Sequence, residues 1–358
     1  MTDFDPQEFL LKKHAKYCLR FLGLLPPGLA KQESSRGTLV FFTVCGLDVL
    51  NQLSLINDGL RNEIIDWVYS TQVIPDCESS TNGGFMGTTT LNVKSDDPLV
   101  LKNIGKYRKG HLAMTYTCLA TLVTLGDDLS RVDKRAVIRG VEASQNDNGS
   151  FSLSASEEGN EHDMRFTYCA ASICAILNDW GNVDKARMKE YILNSLRYDS
   201  AFSQDLEGEG HGGTTFCAVA ALQLSGQLDS LSEVQLEKLK QWLLFRQIDG
   251  FQGRPNKPVD TCYSFWIGAT LKILNAFDLT NFTENREYIL STQDSVVGGF
   301  SKWPRCTTDP FHTYFGICGL SFLNEPELEE VMPSLNISMR AYGKLKDLHN
   351  SWINENTN

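Results

Sequence analysis

Four stretches of the chain mix charged and apolar residues at helical spacing and close on a glutamine. They are RNEIIDWVYSTQ ending at Gln72, KRAVIRGVEASQ at Gln145, EKLKQWLLFRQ at Gln247 and ENREYILSTQ at Gln293. That spacing predicts helices with one face on a core and one in water. A Gly-aromatic loop follows each: NGGF ending at Phe85, NGSF at Phe151, DGF at Phe251 and GGF at Phe300. Glycine supplies the turn and phenylalanine plugs the space beneath it. Then comes a second kind of helix, apolar on nearly all faces and rich in small residues: TYTCLATLVTL, TYCAASICAIL, TFCAVAALQL, TCYSFWIGATLKIL and TYFGICGLSFL. Each opens on a threonine (Thr115, Thr167, Thr215, Thr261, Thr313), at intervals of 52, 48, 46 and 52 residues.

Apolar on every face means buried on every face. Alternation of amphipathic and fully buried helices at about fifty residues predicts an outer and an inner layer. The stretch 37–50, GTLVFFTVCGLDVL, reads as the first inner helix. An open solenoid of helix pairs is the alternative, but solenoid helices keep one polar face. The expected fold is all-α, an α/α barrel or toroid of about six inner and six outer helices around a central apolar cavity. It forms one domain over residues 1–358, with a tail after about residue 336.

Composition narrows the function. The formal net charge of −11 argues against a nucleic-acid binder, which needs a basic field, yet leaves room for a local basic pocket. Apolar residues at 42% and charged residues at 22% are ordinary for a soluble globular chain. The ten cysteines fall mostly inside apolar runs and read as core thiols in a reducing compartment. The acidic start, MTDFDPQEFLLKKH, is unlike a secretory signal, and charges such as Lys272 interrupt the apolar runs. A cytoplasmic protein is expected.

The residues just before the repeated threonines are Met114, Phe166, Thr214, Asp260 and His312. Asp260 and His312 thus fall at one level of successive inner helices, and Cys262 lies two residues past Asp260. Residues i and i+2 share no helix face, so Asp260 and Cys262 meet only at a helix end, which Pro258 is expected to mark as the first helical residue. A carboxylate, a thiolate and an imidazole with a fourth position open make a catalytic zinc site. The plainer reading has Asp260 capping a helix, Cys262 in the core and His312 as an interior histidine. A second group is cationic. His211 with Gly212 and Gly213 opens one inner helix, where exposed N–H groups suit an anion. Arg254, Pro255, Asn256 and Lys257 form the loop before Asp260, and Tyr263 follows. Three positive or potentially positive groups and a phenol suit a diphosphate. Arg254 and Lys257 also read simply as solvated loop charges. Phe166, Tyr168, Phe216, Phe265 and Trp266 would line an apolar tunnel fit for an isoprenoid, or serve only as core.

The stretches DMRFTYCAA, EGHGGTTFCAVAAL, GFQGRPNKPVDTCYSFW and DPFHTYFGICGL carry a specific resemblance. Along nearly its whole length the chain resembles the β subunits of protein prenyltransferases. The resemblance implies an α/α barrel with zinc on Asp260, Cys262 and His312. It implies that His211, Arg254, Lys257 and Tyr263 hold the diphosphate. Gly212, Gly213, Pro255, Asn256, Ser264, Phe265 and Trp266 lie in the matching isoprenoid-binding stretches. Thr38, where farnesyl-transferring members carry a bulky Trp, implies room for the longer geranylgeranyl chain, with Tyr168 in the same pocket. Lys302 replaces an Asp that helps those members bind magnesium, so magnesium is not expected to be required. His111, Ala113, Arg165 and Phe166 match peptide-binding positions, and Pro310 and Phe311 depart from related chains. The implied partners are an α subunit shared with farnesyltransferase, geranylgeranyl diphosphate, and CaaX proteins ending in Leu such as Rho- and Rac-type small GTPases. Farnesyl- and Rab-type members are the near alternatives, and a non-catalytic helical scaffold is the alternative of another class. A terpene cyclase would carry a DxDD motif, which this sequence lacks.

Overall fold

The computed structural model describes residues 8–25, 27–74, 81–92, 97–105, 107–155 and 161–357; the first seven residues of the acidic start lie outside them. Among the described residues the helices run in the order α1 (Leu11–Leu19), α2 (Arg36–Val49), α3 (Asp58–Ser70), α4 (Pro98–Gly105), α5 (Leu112–Leu125), α6 (Lys134–Ala143) and α7 (Met164–Leu177). Then follow α8 (Lys185–Asn194), α9 (Gly212–Leu224), α10 (Glu233–Leu244), α11 (Tyr263–Ile273), α12 (Phe282–Ser291), α13 (Pro310–Phe322) and α14 (Met339–Thr357). Besides isolated bridges such as Gln145 with Phe151, the strands among these residues form two short antiparallel pairs, β1 (Gln72–Val73) with β2 (Gly84–Phe85), and β3 (Val331–Met332) with β4 (Ile337–Ser338).

Two compact units divide the chain. One comprises the described residues of Met1–Leu24, Phe42–Leu55 and Ile192–Arg340; the other comprises Leu25–Phe41, Ile56–Tyr191 and those of Ala341–Asn358. In the first, α11 packs between α9 and α13, and all three are buried along nearly their whole length. In the second, α5 packs along α7 with the same all-round burial. The partners α6, α10 and α12 bury one face only.

The recurrent residues have recurrent work. Phe85, Phe151, Phe202, Phe251 and Phe300 are all fully buried, each side chain contributing about 2–3 kcal/mol on removal from water. Three of the repeated threonines accept the amide of such a phenylalanine: Phe85 N–H to Thr115 Oγ1 at 2.9 Å, Phe202 to Thr215 at 3.0 Å and Phe300 to Thr313 at 2.9 Å. The repeated glutamine reaches the start of the next amphipathic helix and bonds its backbone twice. Gln72 accepts from Asp133 N–H and donates to the Arg131 carbonyl; Gln145 does both with Asp184. Gln247 does both with Asn281, the residue capping α12. At the repeat where Leu196 stands in the glutamine position, the tie is Trp242 Nε1–H to Asp199 Oδ2, 3.0 Å.

Gln293 shows which helix follows α12 in the outer layer. It accepts from Leu10 N–H at 3.3 Å and donates to the Glu8 carbonyl at 2.8 Å. Its partner is therefore α1, from the opposite end of the chain. Gly298 repeats what Gly149 does: both have positive φ and lie so close to the next outer helix that a Cβ would strike a backbone carbonyl, of Lys13 and of Arg187 respectively. Sequence periodicity does not reveal this use of α1, because it lies outside the fifty-residue spacing. The segment after residue 336 also holds more structure than expected. Arg340 Nε bonds Asp48 Oδ1 at 2.7 Å in the first unit, and His349 Nε2 meets the Ile176 carbonyl at 2.9 Å in the second. None of the nine described cysteines is in a disulfide, and all but Cys306 are buried.

Candidate metal centre

In the first unit, α13 starts regularly. Asp309 caps it, its Oδ1 accepting the His312 N–H at 2.8 Å, and Pro310 stands where a missing N–H is harmless. His312 is thereby fixed in the first turn. The start of α11 is different. Ahead of α5, α9 and α13 the capping residue lies four positions before the threonine, and its N–H bonds the carbonyl of the loop phenylalanine: His111 to Phe85, His211 to Phe202, Asp309 to Phe300. Ahead of α11 that bond is made by Asp260, one position before Thr261, and the helix begins only at Tyr263. Asp260 thus holds the capping place of His111, His211 and Asp309. Ser264, as far from Phe251 as Thr215 is from Phe202 and Thr313 from Phe300, is the true counterpart of the repeated threonine. Asp260 and His312 therefore do not lie at the one level that the threonine series predicts, and residues 261–262 form an open turn ahead of the helix. This corrects the expectation for Pro258, which lies exposed in the preceding loop and is not the first helical residue. The open turn lets Asp260 and Cys262 share a side: Cys262 N–H donates to Asp260 Oδ1 at 3.0 Å.

Asp260, Cys262 and His312 converge, their potential ligand atoms all within 4.8 Å of one another, the one such cluster of three among the described residues. Nδ1–H of His312 donates to Asp309 Oδ2 at 2.6 Å, which leaves Nε2 facing Asp260 Oδ1 at 3.3 Å. A carboxylate behind a metal-binding imidazole fixes both its tautomer and its orientation. Lys302 Nζ stands 3.6 Å from Asp260 Oδ2. Burial pushes the Cys262 thiol well above its usual range, and the Asp260 charge adds to that. Burial opposes ionisation of Asp260, but hydrogen bonds from His312 and Cys262 hold its carboxyl below the usual range. Burial likewise disfavours protonated His312, yet Asp260 and Asp309 outweigh it and bring its pKa to about 9. Such a pocket favours a cation. One oxygen, one nitrogen and one sulfur ligand suit zinc, with a fourth tetrahedral position left for a substrate. The residues fit that ion.

The cationic group lies in the same unit. His211 caps α9, its Nδ1 accepting from Gly213 N–H at 3.1 Å and Thr214 N–H at 3.3 Å. Burial, then the Arg254 charge, lowers its pKa to about 4. His211 is therefore neutral with the proton on Nε2, which donates to Tyr263 Oη at 2.9 Å. The sequence counted it among potentially positive groups; the structure makes it a neutral donor that orients the phenol. Arg254 is paired with Glu209, while Pro255, Asn256 and Lys257 are exposed. Gly212 and Gly213 open α9. Ser264 turns to α12, donating to Asn285 Oδ1 at 2.8 Å. Phe265 is fully buried among Phe216, Phe315 and Phe322, whereas Trp266 is only half-buried beside Phe216, Phe311 and Phe315.

The remaining candidates belong to the second unit. Thr38, half-buried on α2, donates to the Met114 sulfur at 3.4 Å. Tyr168 is buried with its hydroxyl 3.2 Å from that of Tyr116. His111 caps α5, bonding Ala113 N–H, and packs edge-on to Phe166 with ring centres 5.9 Å apart. Arg165 is exposed and held by Asp163 and Glu161.

Comparison with known proteins decides the family. Residues 9–337 match the model of the prenyltransferase alpha-alpha toroid domain. The chain belongs to that family. Its fold class is accordingly the all-α toroid. The geranylgeranyl transferase type-1 subunit beta of Dictyostelium discoideum is 38% identical, the match covering 93% of this chain and 96% of that one. The Arabidopsis thaliana protein of the same name is 37% identical over 92% of this chain and 89% of its own. Among solved structures, Candida albicans protein geranylgeranyltransferase-I complexed with GGPP superposes with a TM-score of 0.81 at 25% identity, covering 95% of this chain and 99% of that chain. In this prenyltransferase chain, sequence reading missed Asp309 and Glu209. Asp309 left a signal: an Asp three residues before His312, followed by Pro310, is the pattern of a helix start.

Proposed function

We infer that this chain is the catalytic β subunit of a heterodimeric protein geranylgeranyltransferase type I, an enzyme that moves a geranylgeranyl group from its diphosphate to the cysteine thiol of a C-terminal CaaX motif. The convergence of Asp260, Cys262 and His312 within 4.8 Å, in a chain of this family, carries the reading. Zinc held there would supply a Lewis acid that makes the substrate thiolate available near neutral pH, where a free thiol of pKa about 8.5 is mostly protonated. Asp260 and Cys262 would bring two negative charges to the ion, so that a thiolate held there would keep its nucleophilicity. Tyr263, oriented by His211, offers its own hydroxyl proton to the departing diphosphate. Arg254, Lys257 and Lys302 offset the charge that develops as the C–O bond breaks. A lysine cannot ligate magnesium, so Lys302 beside Asp260 supports an enzyme that works without it.

Finer assignments extend this reading. Thr38 and Tyr168 set the length limit of the lipid, and His111, Ala113, Arg165 and Phe166 face the peptide, whose preferred last residue is Leu. The partner is an α subunit shared with farnesyltransferase, the substrates include Rho- and Rac-type GTPases, and the enzyme works in the cytoplasm. None of the helices is long and apolar enough to cross a membrane among the described residues.

The test is turnover of the chain, with and without co-expressed α subunit, on fifteen- and twenty-carbon diphosphates and on peptides ending in Leu or Ser. The expected result is activity only with the α subunit, preferring the twenty-carbon donor and terminal Leu, and abolished in Cys262→Ala. A preference for the fifteen-carbon donor would overturn the type I assignment. Undiminished turnover in Cys262→Ala would overturn the metal centre.

A further inference from the structure

One three-residue segment underlies both ligand-bearing turns. Thr261, between Asp260 and Cys262, donates its N–H to the Lys302 carbonyl at 3.2 Å and its hydroxyl to the Ser301 carbonyl at 2.7 Å. On the other side, Phe300 N–H donates to Thr313 Oγ1 at 2.9 Å, and the Phe300 carbonyl accepts Asp309 N–H at 3.3 Å. Those two residues flank His312. The spacing between the Asp260–Cys262 turn and His312 is thus set by where residues 300–302 lie.

His14, on α1, holds that segment from behind. The residue is fully buried. Its Nδ1 accepts the Gly299 N–H at 2.9 Å, and its ring stacks on Phe300 with centres 4.4 Å apart and planes at 15°. Nε2 lies 3.2 Å from Gln293 Oε1, and since Nδ1 accepts, Nε2 carries the proton. Burial lowers its pKa to about 4, so the imidazole stays neutral and keeps its acceptor. No residue of α1 contributes to the metal cluster itself.

We propose that His14 is a positioning residue for the metal centre: through Gly299 and Phe300 it fixes segment 300–302 and so the separation of Asp260 and Cys262 from His312. This rests on the zinc reading above. Removing the acceptor leaves a buried N–H at Gly299 without a partner and frees Phe300 to shift. Groups hydrogen-bonded directly to a metal ligand are typically worth about 10- to 100-fold in metal affinity, and His14 acts through one further step, which puts its effect at the low end of that range.

The experiment measures zinc affinity by chelator competition on the full chain co-expressed with its α subunit. His14→Ala should weaken zinc binding by about tenfold, the low end for residues behind a ligand. The alternative amide variants separate the two hydrogen bonds of the imidazole. His14→Asn places an acceptor where Nδ1 was and should bind zinc nearly as the parent does. His14→Gln places a donor toward Gln293, loses the Gly299 acceptor, and should weaken binding as alanine does. In a Thr261→Val background, where the hydroxyl link is already cut, His14→Ala should add less than its effect alone. A residue of general packing value would lower the melting temperature without changing zinc affinity of the folded protein. Unchanged affinity in both His14→Ala and His14→Gln overturns the proposal, as does rescue by Gln and not by Asn. If the alanine variant fails to fold, the Asn and Gln pair carries the test. Failure of the parent protein to bind zinc would instead remove the metal reading, and the inference with it.

Discussion

Asp309 does two jobs with one carboxylate. Oδ1 caps α13 while Oδ2 takes the Nδ1–H of His312. Asp309→Asn retains an oxygen for the cap but presents only one to share between both tasks. Zinc affinity is expected to fall by about tenfold or more while the melting temperature changes little, measured by chelator competition and thermal unfolding on the same preparation. Lys302 is a cation 3.6 Å from Asp260. Lys302→Asp is expected to make turnover rise with added magnesium while the parent's does not, checked by titrating the salt at fixed lipid and peptide. Asp260, Cys262 and His312 were legible in the sequence as metal-ligating residue types at the starts of neighbouring buried helices, although the threonine series places Asp260 level with His312 when its counterpart is Asp309. The neutral state of His211 was not, because it depends on burial and on two backbone N–H groups that only the folded helix start presents.

At the scale of elements, the glutamines act as clamps between successive outer helices. Gln247→Ala cuts two side-chain bonds to the Asn281 backbone, and the loss expected is about 1–2 kcal/mol in denaturant unfolding, with m unchanged. Lipid and peptide preference should stay as they were. The period of about fifty residues, the alternation of helix types and the place of α2 could be read from hydropathy alone. Two departures could not. Leu196 breaks the glutamine series, and its replacement tie from Trp242 to Asp199 uses residues far apart in sequence. The register of α11 is also hidden, because Thr261 looks in series while Ser264, three residues later, stands in the threonine's place. A spacing read from one residue type alone can slip by three positions where another hydroxyl residue takes its place.

For the molecule as a whole, acid sensitivity follows from the buried His14. Unfolded, its pKa is the ordinary 6.5; folded, it is about 4. Between those values the unfolded chain binds the extra proton, so stability is full above about 6.5 and falls as pH drops toward 4. The loss is on the order of 3 kcal/mol. Melting temperature against pH should therefore decline more steeply for the parent than for His14→Asn, which has nothing to titrate at that position. The same histidine lies on α1, yet its partners lie near residue 299. The bond from Leu10 to Gln293 spans 283 positions of sequence. During synthesis α1 therefore emerges long before the loop it must grip exists, and its apolar face waits uncovered while the intervening repeats assemble. A chain cut before residue 293 lacks the groups that α1 grips, so α1 is expected to stay undocked in it and to become protected from protease only when residues 293–300 are restored.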